Sequence, residues 1–183
     1  ISTGMANKDE IMEAVEAARN AGCKDLIVLH CVSGYPAPAE DYNLATIPDM
    51  AEYLDILVGL SDHTIDNTTA ISSVAMGACL IEKHVTIDRE GGGPDDSFSL
   101  EKPELLQLCR DSKIAWHSIG KVNYDRKRSE KDNMIFRRSL YAVKDIAKGH
   151  IFSDTNIKSI RPGYGLLPKH IGSVIGKKAV KDI

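Results

Sequence analysis

Val58-Gly59-Leu60-Ser61-Asp62-His63-Thr64, read with its echo Cys79-Leu80-Ile81-Glu82-Lys83-His84-Val85, decides the fold. Each stretch is a short apolar run that ends in polar residues with a histidine at the tip. The two histidines stand 21 positions apart, and residues 67–76 between them have the character of a helix. A strand, a helix and a strand of this length form a βαβ unit with parallel strands. Both C-terminal tips then lie on one face, where His63 and His84 converge. Two convergent imidazoles suit a divalent metal, because neutral imidazole is the commonest ligand of borderline ions. The competing reading makes each histidine a hydrogen-bonded residue near a strand end. Spacing alone leaves both open.

Working outward, residues 1–5 read as a strand tip that turns at Gly4. Asn7 caps the following helix, and Glu10 three residues on completes a capping box. Ile11, Ala14, Val15 and Ala18 supply its buried stripe, and Gly22 ends it. Residues 26–31 are a continuous apolar run, the mark of a parallel strand covered on both faces. His30 lies inside that run and reads as a structural histidine. Pro36 and Pro38 force residues 33–38 into an extended loop. A short helix after Pro48, a strand over 56–60, the helix over 67–76 and a strand over 78–83 follow. Residues 88–97, with Gly91-Gly92-Gly93-Pro94, form a loop placed to close over a site. Pro103 opens a helix that runs to about Ser118.

Four β-α units in series predict an α/β fold, half of a (β/α)₈ barrel, whose active site sits at the C-terminal strand ends. Those ends carry Ser2, Thr3, His30, Ser33, Ser61, Asp62, His63, Glu82 and His84. No G-x-G-x-x-G follows any strand, so the doubly wound alternative lacks its fingerprint. From Lys121 the composition changes. Residues 121–137 are charged and read as a linker. Residues 138–183 read as a small, mostly β second domain, too small for more than a marginal core of its own. The first domain is then residues 1–120.

A net charge of −3 gives no electrostatic footprint for nucleic acid. The basic run Arg126-Lys127-Arg128 is interrupted by acids and carries no aromatic interleaving. No apolar run reaches the roughly 18 residues of a membrane span. The four cysteines, Cys23, Cys31, Cys79 and Cys109, form no C-x-x-C pair and read as reduced, buried thiols of a cytoplasmic protein. The chain opens without Met or a secretory leader and closes on an apolar-polar run, Ala179-Val180-Lys181-Asp182-Ile183. The expectation is a stretch of a longer enzyme.

Five segments together carry a resemblance: Ser2-Thr3-Gly4-Met5, His30-Cys31-Val32-Ser33-Gly34-Tyr35-Pro36, Gly59-Leu60-Ser61-Asp62-His63-Thr64, Glu82-Lys83-His84 and Arg161-Pro162-Gly163. In these the chain resembles the sialic acid synthase family across essentially its whole length. Residues 35–38, 92–101 and 136–141 are similar to the pseudaminic branch of that family. The C-terminal piece resembles its SAF domain, named for a likeness to type III antifreeze protein. Ice binding is disfavoured by the polar Lys158 and Arg161.

The resemblance implies the C-terminal half of a TIM barrel followed by the SAF domain. It implies condensation of phosphoenolpyruvate with an N-acetylated amino sugar to a nine-carbon 2-keto acid and phosphate. By the same resemblance His63 and His84 ligate a divalent ion, Mn²⁺ or Mg²⁺. Ser2 and Ser61 hold phosphoenolpyruvate, and Ser33 stands where the sialic branch has asparagine. Tyr35 and Asp95 contact the sugar. Glu82 orients a ligand or holds a water, with a buried pairing to Lys83 or to another barrel lysine as its alternative. Arg161 reaches the site of a partner subunit in a homodimer whose SAF domains are swapped. The family's first four strands, with their phosphate-binding lysines, have no counterpart here. Other readings are a sialic or legionaminic acid synthase, a two-histidine metal hydrolase needing a third protein ligand, a carbohydrate-binding SAF module, and an inactive fragment.

Overall fold

The parallel sheet follows from three apolar runs whose residues alternate between two faces. The computed structural model describes residues 1–183, which form two compact units, Ile1–Lys121 and Val122–Ile183. In the first unit β1 (Ile27–Cys31) pairs in parallel with β2 (Leu57–Asp62), and β2 pairs in parallel with β3 (Ile81–Lys83). Ser2 bridges to Leu29 and adds the chain's opening residues to the free edge of β1.

Helices α1 (Lys8–Asn20), α2 (Thr46–Leu54), α3 (Thr68–Ala75) and α4 (Lys102–Ile119) complete the first unit. The Asn7 side chain accepts from the amides of Asp9 and Glu10, and Glu10 returns a bond to the Asn7 amide. Ile11 and Val15 are the buried residues of α1, while Ala14 of the expected stripe is exposed. Pro48 falls in the first turn of α2, which starts at Thr46. There its missing N–H costs no helical bond.

Val28, Val58 and Leu60 join Ile11, Val15, Ile47, Met50, Leu54, Ala70 and Leu108 in one core. Successive strand residues point to opposite faces. Leu29, Gly59, Ser61 and Glu82 therefore lie on the face away from the helices. An added Cβ on Gly59 would stand 2.5 Å from the Leu80 carbonyl and 2.7 Å from Leu29 Cδ2, so only glycine fits there. On that face Leu29, Cys31, Gly59 and Ser61 are buried, while Leu57 and Leu80 nearer the strand starts are exposed.

β3 is shorter than the run over 78–83, yet the Cys79 amide already donates to Val58 and the Leu60 amide to Leu80. The cysteines depart from expectation. Cys31 is buried, but Cys23, Cys79 and Cys109 are exposed.

The second unit has β4 (Ser139–Ala142) antiparallel to β5 (Ile157–Ile160), and a short α5 (Ile171–Val174). Its small core is Ile146, Ile157 and Ala179. The closing residues are paired, with the Ile146 and Ile183 amides donating to each other's carbonyls. Residues 128–136, inside the stretch read as a linker, form two 3-10 turns. No helix is long and apolar enough to cross a membrane.

Candidate active site

Every rung of the β2–β3 ladder joins residues 21 apart in sequence, Leu60 with Ile81, Ser61 with Glu82 and Asp62 with Lys83. The histidines keep that offset. They are the next register pair beyond the last rung, on the face away from the helices. Neighbouring strands lie about 4.8 Å apart, and the two imidazole centroids are 5.2 Å apart. The convergence read from spacing therefore has a simple cause in strand register.

His63 is gripped on three sides by the segment that follows β1. Its Nδ1 lies 2.8 Å from the Val32 carbonyl. A carbonyl only accepts, so Nδ1 carries the proton and Nε2 keeps its lone pair. The Ala37 amide donates to the His63 carbonyl at 3.0 Å, and the His63 amide donates to the Tyr42 hydroxyl at 2.6 Å. That hydroxyl donates onward to the Ser61 carbonyl at 3.2 Å. Burial, above all, pushes the Tyr42 phenol far above its ordinary value. It stays a neutral donor at any working pH.

His84 presents Nδ1 to Asp95 Oδ2 at 3.5 Å. Tyr35 stacks 4.3 Å from His63, and Phe98 sits 5.1 Å from His84 and 5.6 Å from Tyr35. Asp95 and Phe98 ride on a tied loop. Asp96 accepts the Thr86 hydroxyl at 2.7 Å and the Gly93 amide at 2.7 Å. Those bonds, Thr86 first, hold its carboxyl below the usual range. An added Cβ on Gly93 would meet Asp96 Oδ2 at 2.8 Å, so the tied carboxylate would have to shift. Farther along, Arg89 pairs with Glu104 and bonds the Ser99 carbonyl, anchoring the loop to α4. The amide of Glu101, chiefly, holds the Glu104 carboxyl low.

Ser61 donates to Glu82 Oε1 at 2.9 Å. Glu82 does not pair with Lys83, a correction to the alternative drawn from sequence. It lies on the opposite face of β3 from Lys83, which goes to Asp62. Ser2 is exposed on the strand beside β1. Ser33 is exposed after β1, its hydroxyl against Gly4, where an added Cβ would approach to 3.0 Å. His30 Nε2 bonds the Tyr42 carbonyl at 2.5 Å. Arg161 is exposed in the second unit, on a turn where Ser139 Oγ donates to the Pro162 carbonyl and accepts the Gly165 amide.

The structure thus gathers His63, His84, Tyr35, Asp95, Ser61 and Glu82. It adds Phe98 and Tyr42, which sequence reasoning did not single out. Phe98 had a signal, an aromatic just after the Gly-Gly-Pro-Asp turn. Tyr42 had none. The donor set fits a divalent ion. Each imidazole has Nδ1 facing an oxygen, which orients the ring and leaves Nε2 for a metal. No third His, Cys, Asp or Glu groups with the pair.

Residues 1–124 match the NeuB family and residues 137–183 match the SAF domain. The chain is 40% identical over 183 residues to a pseudaminic acid synthase of Campylobacter jejuni subsp. jejuni serotype O:23/36 (strain 81-176), covering 100% of this chain and 53% of that one. It is 40% identical over 185 residues to an N,N'-diacetyllegionaminic acid synthase of Campylobacter jejuni subsp. jejuni serotype O:2, covering 100% of this chain and 55% of that one. The crystal structure of an N-acetylneuraminic acid (sialic acid) synthetase from Leptospira borgpetersenii serovar Hardjo-bovis, in complex with citrate, superposes with a TM-score of 0.65 at 33% identity. That superposition covers 73% of this chain and 46% of the other. The chain spans about half the length of the curated relatives it matches.

Proposed function

Since this chain belongs to the NeuB family, a TIM-barrel enzyme family, we propose that it carries the metal-binding and sugar-facing part of a nonulosonic acid synthase. Its substrates are phosphoenolpyruvate and an N-acetylated amino sugar, and it works in the cytoplasm. The observation that supports this best is the His63–His84 register pair, with both Nδ1 atoms engaged and Tyr35, Phe98 and Asp95 around it.

In the reaction, C3 of phosphoenolpyruvate forms a bond to C1 of the open-chain sugar aldehyde. Water adds at C2, and C–O cleavage releases phosphate and leaves the 2-keto acid. A Mn²⁺ or Mg²⁺ ion held by His63 and His84 supplies Lewis acidity toward a carbonyl oxygen. Tyr35 offers its ring as a floor for the sugar, and Asp95 accepts sugar hydroxyls while keeping His84 oriented. Ser61 has a single proton, which it gives to Glu82. To donate to an anionic oxygen of phosphoenolpyruvate it must turn away, which frees Glu82 to hold the attacking water. Ser2, beside Leu29 of β1, and Ser33, just past β1, are taken to add hydroxyl donors for the substrates.

We take the sugar to be 2,4-diacetamido-2,4,6-trideoxy-altrose, as for a pseudaminic acid synthase. The equally similar legionaminic acid synthase keeps a second sugar in play. The test measures phosphate release by the full-length protein with phosphoenolpyruvate and each sugar, with and without a chelator. Release should need both sugar and metal and should be lost in His63→Ala and His84→Ala. Undiminished turnover in metal-free protein would remove the two-histidine reading. Faster use of N-acetylmannosamine would move the chain to the sialic branch.

A further inference from the structure

One buried charged pair takes no part in the chemistry above. Asp62 and Lys83 face each other across the last rung of the β2–β3 ladder, their side chains 0% and 3% exposed. Lys83 Nζ lies 2.8 Å from Asp62 Oδ2 and donates to the Thr64 carbonyl at 2.5 Å. It also comes within 3.4 Å of Thr64 Oγ1. Asp62 in turn accepts the Thr64 amide at 2.9 Å and the Thr64 hydroxyl at 3.2 Å. Lys83 therefore holds residues 62 and 64 together, one on each side of His63, while its own neighbour is His84.

Stability is a poor reason for such a pair. Taking two charges out of water costs as much as their attraction returns, and an apolar replacement is often neutral or better. Geometry is a better reason. Past the rung at Asp62 and Lys83 the ladder ends. The His63 amide goes to Tyr42, and the His84 carbonyl receives the Leu100 amide. Each tip is tied to a different neighbour, and no rung of the β2–β3 ladder joins them at the point where the imidazoles must stay at a fixed separation. A short ionic bridge on the helix-facing side spans that point without entering the mouth.

We propose that the Asp62–Lys83–Thr64 bridge is a positioning device that fixes the spacing of the His63 and His84 imidazoles and so sets the affinity of the pair for a divalent cation. This rests on the reading of those histidines as metal ligands.

The test uses Mn²⁺ alone as the probe, with the full-length protein, by titration calorimetry and by the Mn²⁺ electron paramagnetic resonance signal. The double variant Asp62→Asn/Lys83→Met removes both buried charges together, which avoids stranding either one. Circular dichroism and Tm report its fold. It should bind Mn²⁺ about 10- to 100-fold more weakly, as outer partners of metal ligands do when removed, with an altered resonance line shape. Thr64→Val keeps both charges, removes one hydroxyl of the bridge and should show a smaller loss in the same direction. A lower Tm with unchanged Mn²⁺ affinity and line shape would overturn the proposal and leave the pair a purely structural one. If the double variant does not fold, Thr64→Val decides, and wild-type affinity there overturns the idea. If the unmodified protein binds no Mn²⁺, the ligand reading itself falls and this inference falls with it. That outcome is separate, because it needs no variant.

Discussion

The Tyr42 phenol is the single atom group on which the most site geometry depends. It accepts the His63 amide and donates to the Ser61 carbonyl while fully buried. It thus spans Ser61 of β2 and His63 just past the strand's end, two residues of the same face. Tyr42→Phe keeps the ring and the packing and deletes only the oxygen. The His63 amide would then be buried without a partner. Stranding a buried donor costs about 1–3 kcal/mol, so urea unfolding should show that loss with an unchanged m-value. Activity should fall mainly in kcat, because the loss of order lies at the ligand and not at Tyr35 or Asp95. Unchanged stability would mean that water or a shifted carbonyl takes the hydroxyl's place. Nothing in the sequence marks Tyr42, which comes from a 3-10 turn (Ala39–Tyr42) after the proline loop. Its role arises from a contact across 21 positions that no local pattern encodes.

Strand β2 decides how closely its neighbours approach, and it does so through a missing side chain. At Gly59 the Leu80 carbonyl and Leu29 fill the space that a Cβ would take. The nearer obstacle is backbone, which cannot rotate away. Gly59→Ala should therefore cost about 1–3 kcal/mol, the usual penalty of overpacking, read as a lower denaturation midpoint. A midpoint within error of the parent would show that the sheet relaxes there. The elements themselves were legible. Apolar runs, the capping box at Asn7 and the glycine at 22 mark β1, β2 and α1 within a residue or two. The histidine pairing was legible for a deeper reason: parallel strands joined by one helix have a constant register offset, and the motif spacing equals it. β3 is shorter than its apolar run although Cys79 and Leu80 already bond the backbone of β2. The other failures have physical causes. Cys79 is exposed because its burial depends on neighbours the local pattern does not show. The Asp62–Lys83 bridge was invisible because Asp62 and Lys83 each sit inside a motif that a histidine dominates.

At the scale of the whole molecule, two compact units divide the proposed work. The first holds the imidazoles, Tyr35 and the Asp95 loop, and the second holds Arg161. The second unit fixes Arg161 on a turn tied by Ser139 and by the Gly163 amide bonding the Ile135 carbonyl. Around it Ile160, Tyr164 and Leu166 are exposed, 40%, 73% and 48%. An arginine, which carries a rigid fork of donors, set among exposed apolar side chains, is suited to a site on another surface. In the proposed swapped homodimer that surface is the partner's sugar site. Two-fold symmetry then gives two such sites, each built from one chain's His63 and the other chain's Arg161. The test is complementation in the full-length protein. An Arg161→Ala chain and a His63→Ala chain are each expected to be inactive alone. After mixing and exchange, each heterodimer should contain one site with both wild-type residues and one with neither. Each heterodimer should then show about half the activity of a wild-type dimer, so a fully exchanged equimolar mixture should return roughly a quarter of wild-type activity. If mass measurement shows exchange and activity does not return, Arg161 serves its own chain or stands outside the chemistry.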